Sequence, residues 1–344
     1  MFQPATLADL PAFLIGHAQN VEAGTGCTAV VAPSGAVCGV DVRGGGPATR
    51  ETDLLRPENM VQKVHAVMLS GGSAFGLEAS CGAMDALAQR GIGFEVAGQR
   101  VPIVTGACIF DLAVGKPEHP DKAMGHLSVE RAFAGDDVVD GQLNCGNIGA
   151  GCGATVGKLG LPQQAMKSGF GCAFLRLGPL VVGAAVAVNA LGCVRDRDGK
   201  WIAGVHGADG AVMDPLEAFA AAAAAAQQAG AGAGAAGAPA GAASPAAGGT
   251  PCTNTTIGCV LTNAALTKAQ ATKTASVAHD AYARAIKPVH TQNDGDAIFC
   301  MASGEVDMPH DLVSVIATEA MQAAIENAVL SAKGAYGLAA ASEL

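Results

Sequence analysis

Runs of β-branched and other apolar residues alternate with glycine-rich turns through the first third of the chain, and residues 27–32, 36–42, 64–70 and 101–111 read as strands. After the turn Ser70-Gly71-Gly72-Ser73, residues Leu77, Cys81, Met84 and Leu87 recur at helical spacing, which predicts a helix over 76–90. A strand, a turn and a helix therefore follow one another. Further on, a glycine-dense stretch at 146–160 precedes residues 171–189, whose runs Leu180-Val181-Val182 and Val186-Ala187-Val188 predict a pair of buried strands.

A helix is predicted from Asp214, with Pro215 in a favoured first-turn position, through the alanines to Gln228. Residues 229–250 are then nearly all Ala, Gly, Pro and Ser. Such a stretch has too little distinctive surface to offset the cost of ordering it, so it reads as a flexible linker. The linker opens onto a strand apolar on both faces at 255–262, followed by a helix at 267–286, a strand at 297–302 and a helix at 312–333. These last ninety or so residues lack an obvious complete core of their own. They are expected to share one with the chain before the linker, which makes residues 1–344 a single domain with an excursion.

Composition sharpens the fold class. Half of the 344 residues are hydrophobic but only 4% are aromatic, and there are 47 glycines, as suits an α/β protein with tightly packed backbones. A net charge of -10 argues against nucleic acid as a partner. Residues 1–20 lack a basic stretch before their apolar residues, and no membrane-length apolar run stands outside the alanine tract, so a cytoplasmic protein is expected. Eleven cysteines without a C-x-x-C pair fit neither a zinc site nor a disulfide framework. Cys38, Cys108, Cys172 and Cys259 read as small buried hydrophobes.

Candidate chemistry centres on Thr255, which begins a buried strand directly after the polar approach Thr250-Pro251-Cys252-Thr253-Asn254. Cleavage after Asn254 would give this threonine a free α-amine. With an ordinary pKa near ~8, that amine can take the hydroxyl proton, so one residue supplies nucleophile and base. Taken alone, a threonine at a strand start is more often only a strand start.

The surrounding motifs extend the picture. Asn254-Thr255-Thr256-Ile257 with Leu261-Thr262-Asn263 resembles the self-cleavage site of the nylon-oligomer hydrolases, relatives of the D-aminopeptidase A and β-peptidyl aminopeptidase family. Thr25-Gly26-Cys27-Thr28, Gly39-Val40-Asp41-Val42-Arg43-Gly44-Gly45, Thr49-Arg50-Glu51-Thr52-Asp53, the segment 69–78, Gly149-Ala150-Gly151 to Lys158, and Val188-Asn189-Ala190 carry the likeness across nearly the whole chain. The resemblance implies a four-layer αββα sandwich, no cofactor, and autoproteolysis into a long chain 1–254 and a short chain 255–344. It also implies assembly of these pairs into a homotetramer.

Asp294 and Asp296 flank Gly295; in an extended strand both carboxylates would face one way and could converge on one hydroxyl or amine, although Asn293-Asp294-Gly295 is also a turn signal. The family resemblance implies a similar pair beside the threonine. It likewise implies that Lys158 points at the nucleophile, with Lys167 as the alternative, and that Asn189 donates to the oxyanion. Residues 153–158 fail as a phosphate loop, because Cys152 and Leu159 stand where glycine and Ser/Thr are needed. Ser73 fails as a nucleophile elbow because Phe75 replaces the second glycine. Arg43, Arg50, Glu51 and Asp53 receive no role.

The function these residues imply is hydrolysis of unhindered amides bearing a free amino group, through an acyl-threonine ester. Thr255 replaces the serine of the aminopeptidase branch, and Asp294 and Asp296 stand where glutamates are expected, so substrate preference is left open. Two other functions compete: an acyltransferase resembling ornithine acetyltransferase, whose Pro-Asn-Met-Ala-Thr-like run is absent, and a binding protein with an uncleaved linker.

Overall fold

The computed structural model describes residues 2–232 and 254–344. Its principal elements are β1 (Leu14–Asn20), β2 (Thr25–Val42), β3 (Val64–Ser70), α1 (Ala79–Gln89), β4 (Val104–Cys108), α2 (Lys122–Ala134), β5 (Phe170–Leu177), β6 (Leu180–Asn189), α3 (Pro215–Gly232), β7 (Thr255–Ala264), α4 (Lys268–Ala285), β8 (Ala297–Val306) and α5 (His310–Leu330). The expected linker begins later than residue 229, because α3 continues to Gly232. Its remainder, 233–250, lies outside the described residues.

One sheet runs β5-β6-β7-β8 and then the second half of β2; the other runs β1, the first half of β2, β3 and β4. The 27–32 and 36–42 runs are therefore one strand rather than two. Pro33-Ser34-Gly35 does not reverse the chain. Gly35, at φ 72°, accompanies a register shift between Val31 and Ala36, and the bulged strand bends from one sheet into the other.

The two sheets close on each other over Ile15, Val30, Leu69, Ala185, Ile257 and Phe299. Helices α4 and α5 cover the outer face of the first sheet, and α1 and α2 that of the second. This is the expected αββα sandwich. Glycines set how closely helix and sheet approach: a Cβ on Gly39 would lie 2.1 Å from the Thr272 nitrogen of α4, and one on Gly171 would lie 2.2 Å from the Ala324 carbonyl oxygen of α5. All ten residues of β6 and all ten of β7 are buried, as strands covered on both faces must be.

The segment 255–344 is thus central. β7 pairs antiparallel with β6 and parallel with β8, so the strands expected after the linker stand inside the first sheet. α4 starts on a capping box: Thr267 Oγ1 accepts the Gln270 N–H at 3.3 Å, while Gln270 Oε1 accepts the Thr267 N–H at 2.9 Å.

Candidate active site

The antiparallel register of β6 and β7 sets the last residue of one strand, Asn189, opposite the first residue of the other, Thr255. Thr255 is 4% exposed. Its hydroxyl donates to the carbonyl oxygen of Asn254, and that same oxygen accepts the Gly295 N–H at 3.1 Å. The threonine oxygen therefore lies against the peptide bond that self-cleavage would break.

A parallel bridge between Asn254 and Asp294 lays the acidic segment along this backbone. The segment is not extended. A turn closes from the Asp294 N–H to the Thr291 carbonyl at 3.1 Å, and β8 begins only at Ala297. Consequently the two carboxylates do not converge on the Thr255 hydroxyl. Asp294 Oδ2 accepts the Thr291 N–H at 2.7 Å, and Asp296 Oδ1 accepts the Thr256 N–H at 2.7 Å. Asp296 Oδ2 also accepts the His290 N–H at 3.1 Å and lies 2.8 Å from His290 Nδ1. Burial, with the neighbouring charge of Asp296, raises the Asp294 carboxyl above its ordinary range.

Lys158 Nζ donates to Asn189 Oδ1 at 2.6 Å and to the Asn189 carbonyl at 3.1 Å. Burial pulls this ammonium down to about 7, with Lys167 adding to the depression and Asp294 and Asp111 opposing it. The Thr155 N–H also reaches Asn189 Oδ1, at 3.1 Å. The amide oxygen of Asn189 is thus fixed, which directs its Nδ2 to the other side, where it donates to the Phe110 carbonyl at 3.0 Å.

Lys167 is caged elsewhere. Its Nζ donates to the carbonyls of Gly151, Ala154 and Ser168, and burial lowers it to about 7 as well. It ties down the glycine-rich loop that leads to Lys158. Between these lysines and Thr25 sits Asp111, a residue without a role in the sequence reading. Asp111 accepts the Thr25 hydroxyl at 2.7 Å and the Gly72 N–H at 2.6 Å, and burial raises its carboxyl to about 6. Its only signal was an acid ending an apolar strand.

The other polar residues singled out in the sequence make contacts away from Thr255. The Ser73 N–H donates to the Ile109 carbonyl at 2.8 Å, in the turn before α1. Arg43 bonds Asp41 and the Ser276 carbonyl, Arg50 rests on Cys81 and Met84, Glu51 occupies a left-handed position at φ 57°, and Asp53 pairs with Arg56. Among the described residues, no group of three or more His, Cys, Asp or Glu could hold a metal ion, and no helix is long and apolar enough to cross a membrane.

The fold is that of solved Ntn-type aminopeptidases. An L-aminopeptidase D-Ala-esterase/amidase from Ochrobactrum anthropi, described as a variant of the Ntn hydrolase fold, superposes with a TM-score of 0.64 at 16% identity, over 99% of this chain and 92% of that one. A Burkholderia sp. beta-aminopeptidase gives 0.63 at 19%, over 96% and 89%. What makes this chain an amide hydrolase is the family its sequence matches and the relatives within it. The chain belongs to peptidase family S58, which it matches over residues 5–341. Sequence relatives include an uncharacterized aminopeptidase of Mycobacterium leprae, 38% identical over 88% of this chain and 79% of that protein. A 6-aminohexanoate-oligomer endohydrolase of Paenarthrobacter ureafaciens is 31% identical over 88% and 76%.

Proposed function

We propose that the chain cleaves itself between Asn254 and Thr255, and that the exposed Thr255 is then the nucleophile of an aminopeptidase or ω-amino acid oligomer hydrolase. One observation carries this reading: the Thr255 hydroxyl bonds the Asn254 carbonyl oxygen, which also receives the Gly295 N–H. In the first step Thr255 Oγ attacks the Asn254 carbonyl carbon as the hydroxyl proton passes to a neutral Lys158 amine. The Gly295 N–H stabilises the oxyanion that forms. The carbon–nitrogen bond then breaks, the Thr255 nitrogen takes a proton, and an ester joins Asn254 to Thr255 Oγ. Water hydrolyses this ester, leaving chains 1–254 and 255–344 within one αββα domain.

In turnover the new α-amine of Thr255 accepts the hydroxyl proton and the acyl group of a substrate amide moves to Oγ. The amide C–N bond breaks, the amine half leaves with that proton, and water hydrolyses the acyl-threonine ester. Asn189 Nδ2 donates to the oxyanion, and Lys158 holds Asn189 and lowers the amine's proton affinity. Asp294 and Asp296 fix the backbone on both sides of the reacting residue. Substrates are small amides with a free amino group: β-peptides, short amino-terminal peptides or linear ω-amino acid oligomers. The names of the relatives support hydrolysis over acyl transfer. On the strength of the motif resemblance, the proposal extends to a homotetramer of cleaved pairs.

Intact-mass analysis and N-terminal sequencing of purified protein test the central step. A fragment beginning at Thr255 is expected. Full-length chain after long incubation, or any other new terminus, overturns it.

A further inference from the structure

Asp296 is held from behind by a residue in a costly conformation. His290 occupies the left-handed region at φ 56°, where a Cβ is crowded, and this turns both its N–H and its Nδ1 onto the same carboxylate oxygen. The other oxygen of Asp296 takes the Thr256 N–H, so a chain of contacts runs from His290 through Asp296 to the strand that starts with Thr255.

The far side of the imidazole faces other polar groups. The His290 ring lies 4.8 Å from that of His279 and 5.9 Å from that of Tyr282, measured between centroids. His290 Nε2, His279 Nδ1, Tyr282 OH and Thr256 Oγ1 are all buried and make no hydrogen bond among the described residues. His279 Nε2 contacts the Asp41 carbonyl at 3.0 Å and so carries the proton, which leaves Nδ1 as an acceptor. Tyr282 OH reaches down to β7 where Gly258 lies: a Cβ there would stand 2.9 Å from it. Thr256 and Gly258 share one face of the strand, so the two unpaired hydroxyls lie on the same side of β7. Donors and acceptors are both present, the set a water molecule satisfies.

We propose that His290 is a positioning residue for Asp296, seated on a buried polar pocket of Tyr282, His279 and Thr256 that takes ordered water. The pocket braces the start of β7 from the helix side while Thr255 reacts on the other. This rests on the reading of Thr255 as nucleophile.

The test measures self-processing and steady-state kinetics of the full chain as wild type, His290→Gly, His290→Asn and Tyr282→Phe. Glycine accepts the left-handed backbone and removes only the ring, so processing and kcat are expected to fall between about tenfold and a hundredfold with KM unchanged. Asparagine also tolerates that backbone and sets an amide N–H where Nδ1 stands, so it restores most of the loss. Tyr282→Phe removes a water ligand and lowers kcat and Tm more mildly. A glycine variant that processes at the wild-type rate, or an asparagine variant as slow as glycine, overturns the assignment. Should the glycine variant not fold, His290→Asn alone decides: near-normal processing supports the role, and a loss as deep as that of Thr255→Ala removes it. A phenylalanine variant as active and stable as wild type removes the water pocket. A wild-type chain that never cleaves before Thr255 overturns the nucleophile reading itself, and this proposal with it.

Discussion

Asn189 and Thr255 face each other across the β6–β7 ladder, so the proposed oxyanion donor and the proposed nucleophile are fixed by backbone pairing rather than by a loop. Asn189→Ala keeps the ladder and removes the amide. The expected result is a fall in kcat of about a hundredfold with a small change in KM, measured on chains already cleaved. Thr255→Ala is expected to show neither cleavage on a denaturing gel nor turnover, whereas Thr255→Ser retains both.

Lys158 has its amine lowered to about 7, so it is protonated in acid and increasingly neutral above that pH. If the neutral amine takes the hydroxyl proton, self-cleavage accelerates from pH 6 to pH 8, as the neutral fraction rises from about one-tenth to nine-tenths, and then levels off. Lys158→Arg cannot lose its proton and is expected to stay uncleaved at every pH. Rates read from gel time courses across this range check both statements.

The two lysines are separable by experiment. Lys167 satisfies three carbonyls of the loop that leads to Lys158, so Lys167→Ala is expected to cost about 3 kcal/mol or more by leaving buried acceptors unpaired. Its Tm falls, and processing declines with the folded fraction. Lys158→Ala should keep most of its Tm and lose processing. A folded, stable Lys167→Ala chain that cannot cleave would exchange the roles.

Gly295 has no room for a side chain. A Cβ would lie 2.8 Å from Thr255 Oγ1 and 2.9 Å from the Gly46 carbonyl oxygen. Gly295→Ala is expected to slow cleavage by more than about tenfold, because displacement of the attacking oxygen is costly to reaction geometry. Far-ultraviolet circular dichroism close to wild type, beside the gel assay, would locate the effect at the site.

What the sequence made readable was local. The all-buried strand beginning at Thr255, Asn189 at the end of another, and Lys158 after a glycine-rich run each carry their signal in neighbouring residues. Two features depended on distant parts of the chain. α2 buries Gly125, Ser128, Val129 and Ala132, a stripe of mostly small residues without the large apolar periodicity that marks a helix. β2 continues through Pro33-Ser34-Gly35 because both sheets hold it, against the local turn signal. Asp294 and Asp296 are legible as two acids around a glycine, but their orientation is not, since the backbone there turns before β8 begins.

Asp111 was missed for the same reason: its partners Thr25, Gly72 and Lys158 are far apart in sequence. Its charge raises the proton affinity of Lys158 against the depression caused by burial. Asp111→Asn keeps an acceptor for the Thr25 hydroxyl or the Gly72 N–H and removes that charge. With less to hold the proton, Lys158 becomes neutral at a lower pH, so the midpoint of the self-cleavage profile is expected to move toward acid. Asp111 itself titrates at about 6, so in wild type its support weakens below that pH, and the acid limb should be shallower than in the asparagine variant. A midpoint that stays in place or moves toward alkali would mean that the proton acceptor in cleavage is not Lys158.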